Sequence, residues 1–150
     1  MSRIAELYER IQGKSDMDIF AEKLRLSWHR ETSDPVHVHD GWKPDRPERG
    51  QSAITSLFVH ERFSGEILAA TYEGRRHFFN RLPDGTVLDF VRPPSPDTRD
   101  WSDGVPVDPT VVLQSELEAH ARLELLRDNF DDVERMLRKH AESLSRKTPT

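Results

Sequence analysis

The sequence predicts an α+β domain in which helices flank a small antiparallel sheet, and three observations carry that expectation. Between Arg49 and His60 a polar Arg-Gly-Gln-Ser opening leads into Ile54, Leu57 and Phe58, apolar residues spaced three and four apart, as one buried helical face requires. Beyond it, Glu73-Gly74 and Pro83-Asp84-Gly85 separate three short apolar or aromatic runs, the pattern of strands joined by tight turns. Further on, Leu123, Leu126, Phe130, Val133, Leu137, His140 and Leu144 alternate three- and four-residue spacings, as a long helix with one apolar seam does.

The elements follow in order. Residues 1–30 read as N-terminal helices: Ile4, Leu7, Tyr8 and Ile11 form one stripe, Gly13 ends it, and Ser15-x-x-Asp18 caps a second. Met17, Phe20, Leu24 and Trp28 lie on one face of that second helix and are expected in the core. Glu31 to Arg49 carries Pro35, Pro44, Pro47 and Gly41 and reads as loop. Residues 50–91 form the central unit. Gly50 allows a sharp turn, the Ser52 helix follows, and Gly65 marks its end. Ile67 to Tyr72, Arg75 to Leu82 and Thr86 to Val91 are then three antiparallel strands. A proline-rich linker over 92–112 contains Trp101, read as an anchor to the domain. A C-terminal helix over 113–146 starts from a Ser115-x-x-Glu118 capping box. Its seam is long enough for packing on the chain's own domain or for a homodimer contact.

Composition bounds the function. The 150 residues suit a single domain with a real core. A net charge of −5 with acids and bases interleaved leaves no footprint for nucleic acid. No apolar run approaches the roughly 18 residues of a membrane span, and no signal-peptide core opens the chain, so a cytoplasmic, non-membrane protein is expected. There is no cysteine, hence no disulfide and no thiolate metal site. His37 and His39, with His29 upstream, alternate as two ligands on an extended segment would, but no third ligand stands at a diagnostic spacing. No metal and no cofactor are expected.

The chemistry centres on Ser52. In the first turn of its helix, unpaired N–H groups and the positive end of the dipole converge, the place where papain-like and transglutaminase-like enzymes hold a nucleophilic cysteine. The hairpin sets His77 and Asp89 opposite one another. Taken singly, each residue has a plainer role: a helix cap for Ser52, a hydrogen-bonded structural histidine, a turn aspartate.

Taken together, Gly50-Gln51-Ser52-Ala53-Ile54-Thr55-Ser56-Leu57-Phe58-Val59, Phe63-Ser64-Gly65-Glu66-Ile67-Leu68, His77-Phe78-Phe79-Asn80-Arg81-Leu82 and Gly85 to Phe90 resemble the YunG family of small bacterial proteins. Leu26-Ser27-Trp28 to Thr32 and Trp42 resemble its upstream elements, so the likeness spans roughly residues 24 to 91. It implies a Cys/His/Asp site on an α+β fold of papain-like or transglutaminase-like character. Two departures stand out: Ser52 occupies the position of the family's cysteine, and Asp89-Phe90-Val91 that of its Asp-Leu-Thr.

The expectation is a thiol-hydrolase-like or acyltransferase-like site acting on a peptide or small-molecule acyl group. The residue at 52 attacks, His77 serves as base and then acid, and Asp89 orients His77, with Asn80 as the second candidate for that role. Gln51 and the Ser52 N–H stabilise the oxyanion. Because a serine hydroxyl is a weak nucleophile until deprotonated, the chain is a serine version of the chemistry, an inactive form, or a cysteine protein altered at one position. The alternative is a catalytically silent binding or regulatory module that engages a protein partner through the cleft or the C-terminal helix.

Overall fold

A computed structural model describes residues 2–37, 42–72, 74–91 and 104–147; His39 and Trp101 of the sequence reading fall outside them. Five helices and a four-stranded sheet make up the described chain, an α+β architecture. Helix α1 (Arg3–Ile11) and helix α2 (Asp16–Ser27) are each capped by a serine, Ser2 Oγ accepting from Ala5 N–H and Ser15 Oγ from Asp18 N–H. The second helix stops one residue before Trp28, which closes it as C-cap and stays buried. Two short 3-10 turns, Arg30–Thr32 and Pro35–His37, interrupt the stretch expected to be all loop.

Helix α3 (Ser52–Phe63) is nearly surrounded: every residue from Ala53 to Val59 is buried, polar Thr55 and Ser56 included. It leads into the hairpin of strands β1 (Glu66–Tyr72) and β2 (Arg75–Arg81), paired antiparallel with Ala69 against Phe78 and Ala70 against His77. Strand β3 (Val87–Leu88) pairs with β2 through Asn80–Leu88 and Arg81–Val87. It is much shorter than the Thr86 to Val91 expected, because Asp89 spends one carboxylate oxygen on the Val91 N–H and turns the chain out of the ladder.

The proline-rich segment is not all linker. Strand β4 (Val105–Val107) pairs with β1 and completes the order β3-β2-β1-β4; Pro106, which has no N–H to give a ladder, sits on this edge strand. Asp108 then caps helix α4 (Pro109–Ser115), with proline in its first turn. Ser115 therefore ends a helix instead of capping one. Glu118, at φ +51, breaks the chain before helix α5 (Ala119–Lys147).

Helix α5 runs along α1, α2, α3 and α4. Its seam packs inside the chain as far as Leu137: Leu123, Leu126 and Phe130 enter the main core with Phe20, Leu24, Trp28, Ile54, Phe58, Ile67 and Phe78, while Val133 and Leu137 close on Ile4 and Leu7. A third cluster, Leu68, Ala70 and Phe79, lies on the sheet face away from α3. None of the described helices is long and apolar enough to cross a membrane.

Candidate active site

The site is built where the first turn of α3 meets the outer edge of β2. Gly50, at φ +74, turns the chain, a conformation that favours glycine because it lacks a Cβ. Gln51 becomes the N-cap, and Ser52 is the first helical residue. Beyond the end of β3, the Phe78 N–H lies on the edge of β2 and donates to Ser52 Oγ at 3.3 Å. Ser52 is thus held against the backbone immediately after His77.

His77 and Asp89 meet. Nε2 of His77 lies 2.7 Å from Oδ2 of Asp89, and both side chains are only 9% exposed. Their register is diagonal, correcting the direct opposition expected: with Asn80 against Leu88, continuing the pairing sets Asp89 against Phe79, two residues from His77 on the same face. Same-face residues two apart are within reach of long side chains, and the bond forms across that diagonal. The His77 ring also stacks on Phe79, centroids 6.1 Å apart. In the tautomer that donates Nε2–H to the carboxylate, the acceptor lone pair of the imidazole is on Nδ1.

Asn80 faces the other way. Its amide donates to the Ser56 carbonyl at 3.0 Å, pinning β2 to α3, so the group on His77 is Asp89. Gln51 is wholly buried, and its Nε2 donates to the His29 carbonyl at 3.0 Å, tying the helix start to the turn after α2. Trp28 donates its indole N–H to Thr55 Oγ1 at 2.9 Å, a second tie between the same elements.

Arg122 was invisible to the sequence reading. It sits 3% exposed beside the Gly50 turn, one residue before Leu123 in the seam; its place on the buried face, three after Ala119 and four before Leu126, was the signal available. Burial pulls its guanidinium below its ordinary value, against the opposing pull of Asp34, Glu116 and Glu118. Burial first and Asp34 second push the Glu116 carboxyl up. Among the described residues no group of three or more His, Asp or Glu side chains could hold a metal. His39 lies outside them.

The family model described as YunG protein matches residues 16–135. The chain belongs to the YunG family. No curated protein and no solved structure matches it. The YunG match takes in α2 through most of α5, including Ser52, His77, Asp89 and Arg122, and leaves out α1.

Proposed function

We propose that this YunG-family chain carries an acyl-transfer site of papain-like or transglutaminase-like arrangement, with position 52 as nucleophile. The observation that carries the reading is the buried 2.7 Å His77–Asp89 bond, one residue along β2 from the N–H that holds Ser52 Oγ. A carboxylate on one imidazole nitrogen fixes the tautomer and stabilises the imidazolium that forms when the other nitrogen takes a proton. The side chain at 52 gives up its proton to His77 across the β2 edge and bonds to the acyl carbon. His77 then returns the proton to the leaving group, and water or a second acceptor releases the acyl group. The helix-start N–H groups, which have no partner four residues back, face the developing oxyanion, with the remaining amide hydrogen of Gln51 as a further donor.

Sulfur suits this place better than oxygen, because a thiol at a helix N-terminus beside an imidazole ionises near neutrality. In a Ser52→Cys variant, alkylation by iodoacetamide should stay fast well below the ordinary thiol value of about 8.5, and adding His77→Ala should move its pH midpoint up. A midpoint at the ordinary value in both chains contradicts the proposal. The second reading, a binding module, rests on Ser52 itself: its Oγ already accepts the Phe78 N–H and so ties α3 to β2 without reacting. That reading predicts the ordinary midpoint.

A further inference from the structure

Arg122 is a cation in a setting where an unsatisfied cation would be costly, and each of its three guanidinium nitrogens donates to a backbone carbonyl. Nε donates to the Thr32 carbonyl at 3.0 Å, Nη1 to that of Leu117 at 2.9 Å and Nη2 to that of Gly50 at 3.1 Å. Those carbonyls belong to three separate segments: the 3-10 turn after α2, the break between α4 and α5, and the turn that starts α3. We infer that Arg122 is a positioning residue for position 52, fixing the Gly50 turn from which the nucleophile's helix starts. The inference rests on the acyl-transfer reading above in taking position 52 as the reacting one.

The geometry gives the role to arginine. The Gly50 carbonyl also accepts the Asp34 N–H at 2.9 Å, Ser33 Oγ donates to the Arg49 carbonyl at 2.7 Å, and Gln51 holds the His29 carbonyl. Residues 29–34 and 49–51 are thereby laced to each other, and Arg122 reaches both from α5. A planar fork with donors in several fixed directions meets three carbonyls at once; an ammonium is a compact point charge on a flexible stem. The buried charge also adds to the positive end of the α3 dipole, the field that favours an anion at position 52. Asp34 of the second turn and Glu116 and Glu118 of the α4–α5 break oppose that field. From β2, Arg76 acts on Glu116 with the opposite sign, its guanidinium 5.0 Å over the Phe78 ring, and the His77–Asp89 pair begins one residue along the strand.

The test uses the full chain in the Ser52→Cys background, with Arg122→Met, Arg122→Lys and, as a control for general destabilisation, Val133→Ala in the distant Ile4–Leu7 cluster. Two quantities are read: amide hydrogen exchange over residues 48–54 and the pH midpoint of iodoacetamide alkylation. Arg122→Met should raise the midpoint by about one unit, so that alkylation at a pH well below the midpoint slows about tenfold, and should speed exchange over 48–54 by about tenfold relative to the remainder of the chain. Arg122→Lys should recover part of the midpoint shift and less of the exchange, since it restores charge without the fork. Val133→Ala should change neither selectively. If Arg122→Met behaves as Val133→Ala does, or leaves both quantities unchanged, the inference is overturned while the depressed midpoint of Ser52→Cys keeps the acyl-transfer reading. If Ser52→Cys itself has an ordinary midpoint, that reading falls, and exchange alone decides: selective loosening of 48–54 supports Arg122 as holder of the turn, its absence rejects it. Should Arg122→Met not fold, Arg122→Lys is judged by the same criteria.

Discussion

At position 52 a serine stands where the likeness to the family implies cysteine, and on the acyl-transfer reading that one atom sets the strength of the nucleophile. The His77–Asp89 pair and the helix-start N–H groups are set without the atom at the tip of residue 52, whereas the Phe78 N–H bonds that atom itself. Ser52, His77 and Asp89 were legible as candidates, a small residue after a glycine turn, a histidine in one strand and an aspartate near the end of the next, of which the structure bonds His77 to Asp89. Arg122 was not, because one arginine in a helix rich in arginine looks like every other until the fold shows which three carbonyls it faces. Glu116 gives a prediction at the same scale. Burial and Asp34 favour its protonated form in the folded chain, so the folded state binds more protons than the unfolded one above the ordinary glutamate value. Stability is therefore lost as pH rises through that window, and the deficit persists above it. Glu116→Gln should raise the thermal midpoint at pH 7 and leave it unchanged near about pH 3, where the carboxyl is protonated in both states. Equal midpoints at both pH values would remove Glu116 from the account.

At the scale of elements, what the sequence disclosed was what periodicity and turn chemistry encode. Helices α1, α2 and α3 and the β1–β2 hairpin lie close to their expected bounds, because serine caps, Gly13 and Gly65 punctuate clean patterns. Strand β4 was missed because Val105-Pro106-Val107 has only three residues and a proline, and gains its identity from pairing with β1. The break at Glu118 was missed because Ser115-x-x-Glu118 imitates a capping box, while Arg122's hold on the Leu117 carbonyl favours a turn there. The link from α3 to β1 is the most demanding junction: Ser64 and Gly65 both have positive φ, and a Cβ on Gly65 would lie 2.2 Å from the Arg81 carbonyl oxygen. Gly65→Ala should therefore cost at least about 2 kcal/mol in urea unfolding, through backbone strain and displacement of β2 together. A loss under about 0.5 kcal/mol, the range of an ordinary surface change, would mean that the junction relaxes freely.

Across the whole molecule, α5 acts as a spine joining two cores. Its first half closes the main core around Phe20, Phe58 and Phe130, whose rings lie 5.1–6.1 Å apart, and its second half closes the smaller one with Ile4 and Leu7. The sequence left this seam open between self-packing and dimerisation, since a heptad pattern of that length serves either. The seam residues Leu123, Leu126, Phe130, Val133 and Leu137 are buried within one chain, while Met136 at 45% and Leu144 at 39% exposure remain on the helix surface. Two such side chains make a small patch for a stable dimer, which ordinarily buries about 800 Å² per partner. Light scattering should accordingly give the mass of one chain; a dimer mass that reverts in Met136→Lys would show that the outer stripe of α5 pairs.

The central claim is that position 52, His77 and Asp89 form one acyl-transfer site, and an activated ester tests it directly. Ser52→Cys is mixed with p-nitrophenyl acetate, the release of nitrophenolate is followed at early times, and the acetylated position is located by mass spectrometry. The account predicts a burst of one equivalent per chain with the acetyl group on position 52, slowed strongly by His77→Ala and by Asp89→Ala in chains that remain folded. Acetyl groups scattered over lysines with no burst, or a burst at position 52 that His77→Ala leaves unchanged, would contradict it.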